Sequence, residues 1–253
     1  MNTLGLQTLL TKEVRRFLRV PGQTVLSPVV TTSLYFVVFG YALGGALRDM
    51  GGVSYGRYIV PGLVTLGVVT NAYLNTASSM FVMKIQGTIV DLLVSPLSYA
   101  EILAGFLGAA VVRGLLVGSV TWLVAAAFTG FGIAHPALAL LLLALAAVSF
   151  AALGLVTAIW ATSFEQVNFF PTFVITPLTF LGGVFYAVED LPPFLRSFTV
   201  ANPVYYLVDG VRFGMIGASG ASPWAAVAVL AGLALGAVGA AYGVLRSGWR
   251  LRG

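Results

Sequence analysis

The chain has 253 residues, of which 59% are apolar and only 8% charged, with a mean hydropathy of +0.99. A water-soluble domain carries about 25% charged residues, so this composition excludes a soluble enzyme or binding module and specifies a membrane protein. The net charge is +5, and the absence of cysteine excludes disulfides and thiolate metal sites, while a single histidine and scattered carboxylates argue against a metal cluster.

Residues 5–20 read as an amphipathic helix. Leu10, Val14, Phe17 and Leu18 form its apolar side, and Lys12, Arg15, Arg16 and Arg19 fall at i, i+3, i+4 and i+7 on a basic side. This suits a helix at an anionic membrane surface. It equally suits ordinary basic residues flanking a span, with the same topological consequence. Pro21-Gly22 ends the helix. Six apolar runs then predict spans at about residues 24–47, 58–80, 101–128, 137–161, 167–187 and 222–245. The first carries Pro28. The second opens with Pro61 in its first turn, where proline is tolerated, and the fifth is interrupted by Pro171 and Pro177. A polar loop holding Arg48, Asp49 and Arg57 separates the first two spans. The first apolar run follows basic residues and precedes further spans, which does not fit a cleavable signal peptide.

Two inserts differ from the spans. In 83–97, Ile85, Ile89, Leu92 and Leu93 share one helical face, and Lys84, Thr88 and Asp91 share another. At about 1.5 Å per residue the insert is too short to cross ~30 Å of hydrocarbon. Pro96 stops it, and Ser98 with Glu101 forms a capping-box pattern that starts the next helix. Its polar and apolar faces fit either a helix resting on lipid or a handle for a cytoplasmic partner. In 188–220, Asp190 before Leu191-Pro192-Pro193, and Asn202 before Pro203, predict two short helix starts. Asp209 and Arg212 are spaced to pair. The result is an aromatic hairpin expected to dip into the outer leaflet. With the N-terminus inside, the inner segments hold Lys12, Arg15, Arg16, Arg19, Lys84, Arg246, Arg250 and Arg252, and the outer ones hold Arg48, Arg57, Arg196 and Arg212. This asymmetry predicts both termini, and the 83–97 insert, in the cytoplasm.

No phosphate-binding loop is present, and no nucleophile–base set stands out, so no catalytic or cofactor site is expected on the chain. His135 beside Pro136 reads as a loop residue. Arg113 has two readings. Near the midplane of the third span it would cost about 2.5–3.5 kcal/mol and mark function. Residues 114–132 are uncharged and long enough to span, however, which would leave Arg113 snorkelling at the inner headgroups. Asn71 and Asn75 share one face of the second span, either as glue between helices or as part of a polar path.

Several stretches together carry a family resemblance: G-T-I-V-D-L-L-V-S-P-L-S at 87–98, P-T-F-V-I-T-P-L-T-F-L-G-G-V-F-Y at 171–186, and L-P-P-F-L-R-S-F-T-V-A-N-P-V-Y-Y at 191–206, with Y-I-V-P-G-L at 58–63 and T-N-A-Y at 70–73. Over essentially its full length the chain resembles the ABC-2 type permeases, membrane subunits of ATP-binding-cassette exporters. The resemblance implies an all-α integral membrane fold of six transmembrane helices, with an N-terminal interfacial helix at 1–22, a cytoplasmic coupling helix at 84–94 and an extracytoplasmic re-entrant hairpin at 188–220, the type-2 transmembrane domain filling 23–250. It implies a homodimer working with two separate ABC ATPase subunits, which hold ATP and Mg2+, in a bacterial inner membrane and in contact with lipid but not with nucleic acid. The coupling residues would be Lys84, Ile85, Thr88, Ile89, Asp91, Leu92 and Leu93. Many relatives are more acidic in this segment, so the charge facing the ATPase here is expected to differ. A translocation path is expected along Asn71, Asn75, Arg113, Phe170, Phe173, Thr176 and Phe180, and its aromatic lining fits an amphipathic or lipid-like cargo moved outward. A self-powered secondary transporter or channel would want midplane carboxylates or an ion relay, which the spans lack. A membrane enzyme would want a catalytic group.

Overall fold

The computed structural model describes residues 2–35, 37–38, 52–130, 132–217 and 220–250. Among these, all regular structure is helical: α1 (Thr3–Leu18), α2 (Ser27–Tyr35), α3 (Tyr55–Ile85), α4 (Ile89–Val94), α5 (Tyr99–Thr129), α6 (Pro136–Trp160), α7 (Phe164–Phe170), α8 (Thr176–Leu181), α9 (Pro193–Ala201), α10 (Pro203–Ile216) and α11 (Pro223–Ser247). Four of them, α3, α5, α6 and α11, are long and apolar enough to cross a membrane. The expected fifth span, 167–187, is helical only as far as Leu181 and is built in three pieces; residues 182–187 form turns, with Gly183 at φ +85°. A π-helical turn at Pro171–Ile175 joins α7 to α8, and the junction residues keep right-handed helical dihedrals. Prolines 171 and 177 cause the interruption, because each removes a backbone N–H and crowds the preceding turn. Of the expected first span, the π-helical turn Gly22–Leu26 and α2 are described. Most of its remainder, with Arg48 and Asp49, lies outside the described residues.

Local chemistry sets the helix boundaries. The Ser98 backbone N–H donates to Glu101 Oε2 at 2.8 Å and Ser98 Oγ accepts from the Glu101 N–H at 3.3 Å, the reciprocal cap that opens α5. Proline stands in the first turn of α6, α10 and α11, where its missing N–H costs nothing. Gly87, at φ +73°, turns the chain into the left-handed region that ends α3 and sets α4 at a new direction.

The buried centre lies along α3, which packs on α5 and α6 and receives α10 on its remaining side. Small residues allow the close approach. A side chain at Gly154 of α6 would run into the Tyr73 carbonyl of α3, and one at Gly114 of α5 would sit 3.2 Å from the Val68 carbonyl. Thr76 Oγ1 donates across to the Ala151 carbonyl at 2.6 Å, and Tyr73 OH donates to the Val167 carbonyl at 3.1 Å.

Three local expectations change. α3 begins at Tyr55, so Pro61 lies inside the helix instead of in its first turn, and the carbonyl four residues back is deprived of its bond. Pro192, not Asp190, occupies the N-cap of α9; Asp190 closes a short 3-10 turn, Val188–Asp190. The stripe of α1 that packs on the protein is Leu9, Glu13 and Phe17, one residue round from the expected apolar side, so Leu18 is exposed.

Candidate coupling and translocation sites

At the end of the bundle that carries α4, α1 runs alongside the first half of α5. Gly5 faces Leu97, Leu9 meets Gly105, Leu10 meets Gly108, and Phe17 lies under the Arg113 guanidinium at 6.0 Å. The Asn2 backbone N–H donates to Glu101 Oε1, and Asn2 Nδ2 donates to the Pro96 carbonyl at 3.2 Å. Glu13 is fully buried and paired with Lys12 at 3.1 Å and Arg16 at 3.0 Å. Arg16 Nη2 also donates to the backbone carbonyl and Oδ1 of Asn75 on α3, at 2.9 and 3.0 Å. A charged side chain of α1 therefore ties α1 to the centre of the fold. Sequence reading passed over Glu13, although its i±4 spacing from Leu9 and Phe17 was the available signal.

The expected coupling residues divide in the structure. Lys84 and Ile85 belong to the last turn of α3, not to the short helix. Lys84 Nζ donates to the Ile159 and Ala161 carbonyls at 2.6 and 2.9 Å, and Arg250 Nη1 donates to the intervening Trp160 carbonyl at 2.9 Å. Two cations thus cap the C-terminus of α6, the end that carries partial negative charge. On α4, Ile89 and Leu92 are buried at 3% and 9% exposure and join the bundle's own core, with Leu93 partly buried against it. The expected apolar stripe is consequently turned inward. Each such side chain contributes about 1.5–3 kcal/mol to holding α4 in place. The outward face is Val90 and Val94, at 52% and 76% exposure, while exposed Asp91, Thr88 and Gln86 border the cavity beside α4. Behind α4, between it, α1 and the end of α3, lies a largely apolar cavity of about 830 Å³.

The expected path residues also divide. Asn71, Arg113 and Thr176 line one cavity of about 460 Å³ between α2, α3, α5 and α8. Asn71 Oδ1 accepts from Arg113 Nη2 at 3.2 Å. Asn75, one turn along α3, is fully buried and faces Arg16 instead. Phe170 stacks on Tyr73 at 5.9 Å, and Phe180 meets Phe185 edge-on at 5.2 Å. Phe173 is exposed and stacks on Phe169 at 4.9 Å, on another face.

At the opposite end, Asn202 caps α10 by accepting from the Val204 N–H at 2.9 Å. Asp209 and Arg212 pair at 3.7 Å while both are buried. Asp209 also accepts from the Gly220 and Ala221 amides, at 3.0 and 2.9 Å. Arg212 donates to the Gly183 carbonyl and lies 4.0 Å over the Tyr58 ring. Tyr55 OH and Tyr58 OH donate to the Phe185 and Tyr186 carbonyls. α10 is packed inside the bundle, whereas α9 presents Phe194 and Phe198 outward. His135 stacks on Phe213 at 5.1 Å.

Four long apolar helices packed beside a cavity that holds a guanidinium, with a short helix seated at one end, have the architecture of a multi-pass membrane protein. The family model for ABC-2 type transporters matches residues 5–216, and the chain belongs to that family. It is a transport permease of the kind that associates with an ABC ATPase. It is 42% identical to the inner membrane transport permease YadH of Escherichia coli K12 over 214 residues, 85% of this chain and 84% of that one. It is 30% identical to nodulation protein J of Rhizobium leguminosarum bv. trifolii over 195 residues, 77% of this chain and 74% of that one. Against nodulation protein J of Neorhizobium galegae the identity is 28% over 200 residues, 79% and 76% of the two chains.

Proposed function

We propose that the chain is the permease of an ABC exporter in a bacterial inner membrane, and that it moves an amphipathic or lipid-like cargo outward. Two copies form the path, and two ATPase subunits holding ATP and Mg2+ drive it from the cytoplasm. Both termini and α4 are cytoplasmic, and the α9–α10 hairpin lies on the outer side. The observation that carries this reading is α4 itself. It is a two-turn helix seated by Ile89 and Leu92, set off from α3 at Gly87, with Val90 and Val94 left exposed on its outer side. A seated helix with an unfilled apolar outer face transmits force from whatever docks there. The similarity to YadH supports the membrane placement. The cavity lined by Asn71, Arg113 and Thr176 serves as the part of the path nearest that end.

The test is recovery of the ATPase by tagged permease variants in one detergent. Val94→Asp places a charge in the docking face without touching the core. It should leave permease yield and unfolding temperature unchanged while weakening ATPase recovery at least tenfold, since burying an unpaired charge is strongly unfavourable. Ile89→Asp should instead reduce the yield of folded permease, because Ile89 is core. Full ATPase recovery by well-folded Val94→Asp refutes the docking assignment.

A further inference from the structure

Arg113 is a half-buried cation with no carboxylate partner among the described residues. Its Nη2 reaches Asn71, but its Nε has no hydrogen-bond partner among the described residues. Glu13 is taken by Lys12 and Arg16, and Asp209 is taken by Arg212. Asn71 and Asn75 stand one helical turn apart and each accepts from a guanidinium, so Arg113 and Arg16 are neighbours. Lys12 and Arg16 divide the Glu13 carboxylate between them, and Arg113 beside them has no ion-pair partner among the described residues. The cavity wall before Arg113 is otherwise rich in hydroxyls, and Thr70 Oγ1 is likewise buried and unpartnered among the described residues. Arg113, Asn71 and Thr70 all line this one space, and a guanidinium fork binds phosphate through two parallel hydrogen bonds, so the wall suits an oxyanion.

Depth fits the same ligand. Arg57 at the other end of the bundle donates to the Thr129 carbonyl at 3.2 and 3.0 Å, an interfacial contact. Counting about 20 residues, or ~30 Å, back along α5 from there reaches about residue 109. Arg113 then lies about one turn inside the inner boundary, at the depth of a lipid headgroup drawn slightly inward.

We propose that Arg113, Asn71 and Thr70 form a site for a phosphate monoester entering from the cytoplasmic leaflet, the anionic head of the cargo. This rests on the reading of the chain as a permease for amphipathic molecules. The test is isothermal titration calorimetry on the full-length permease in a maltoside detergent, with dihexanoyl phosphatidic acid, inorganic phosphate and dihexanoylglycerol as probes. Wild-type protein should bind the phosphatidic acid and not the diacylglycerol. Arg113→Gln should weaken that binding at least about tenfold, the effect of losing a charged hydrogen-bond donor. Thr70→Val, which removes an unpartnered hydroxyl and so spares the fold, should weaken it about threefold. Phosphatidic acid binding well above inorganic phosphate assigns a lipid-borne group, and equal binding assigns a free anion; both keep the anion site. Diacylglycerol binding as tightly as phosphatidic acid overturns it, as does an unchanged affinity in folded Arg113→Gln. Should Arg113→Gln not fold, an unchanged affinity in Thr70→Val overturns it. The titration contains no ATPase and the ATPase recovery assay contains no phosphate probe, so either reading can fail alone.

Discussion

Lys84→Met separates two roles for the end of α3. In the structure the Lys84 ammonium holds two carbonyls at the C-terminus of α6, at 2.6 and 2.9 Å, and points away from the outward face of α4. A hydrogen bond from a charged donor contributes about 1.5–3 kcal/mol, and a cation at a helix C-terminus adds about 0.3–1 kcal/mol. Lys84 is half-exposed, so water replaces part of this, and Arg250 still holds the Trp160 carbonyl. Methionine keeps most of the aliphatic stem. The expected net loss is about 2 kcal/mol, a fall in unfolding temperature of about 4–8 °C for a chain of this length. The assay pairs thermal unfolding in detergent with ATPase recovery normalised to folded permease. Unfolding should shift and normalised recovery should not. An unshifted unfolding temperature with lost ATPase recovery would refute the capping role and return Lys84 to the docking face.

Gly154→Val should drive a side chain into the Tyr73 carbonyl and destabilise the α3–α6 contact by about 1–3 kcal/mol or more, read as a lower unfolding temperature; Gly232→Ala, which opens onto free space, serves as the neutral control. Asp209→Ala leaves Arg212 buried and unpaired and releases two backbone amides, a loss of about 3–5 kcal/mol that should appear as poor recovery of folded protein. Ser197→Cys, introduced into a chain without cysteine, should react with an impermeant maleimide added outside intact cells; labelling only from the cytoplasmic face overturns the proposed orientation.

Features written in local chemistry were legible in the sequence. Ser98 and Glu101 form the cap their spacing predicts, Asn202 caps ahead of Pro203, and the apolar runs at 58–80, 101–128, 137–161 and 222–245 lie within or beside the four long helices. Periodicity groups residues on a face but does not say what that face meets. Ile89 and Leu92 were rightly placed on one stripe, yet the bundle itself covers that stripe, leaving Val90 and Val94 outside. The exit of Lys84 and Ile85 from the short helix follows from Gly87, whose positive φ puts the break two residues after Ile85 instead of before Lys84. Glu13 escaped notice because a carboxylate in a basic helix reads as solvated until the partners that bury it, Arg16 and α3, are in place. Asn71 and Asn75 look equivalent at i, i+4, and only the packing of α1 and α5 assigns them different guanidiniums.

The continuity of α3 has a rotational consequence. One end is keyed to α6 through Lys84, and the other is keyed to the Phe185 and Tyr186 carbonyls through Tyr55 and Tyr58. Successive residues of a helix are about 100° apart round its axis, so the angular setting at one end dictates the setting at the other. Inserting a single alanine between Tyr58 and Lys84 would swing one set of ligands a quarter-turn or more out of reach. A seven-residue insertion would restore the angle to within about 20° but separate the ends by a further ~10 Å. The two faces of the molecule are therefore held in phase by one shaft, and torque applied at the α4 end arrives at the hairpin end as torque, with Pro61 a softened step along the way.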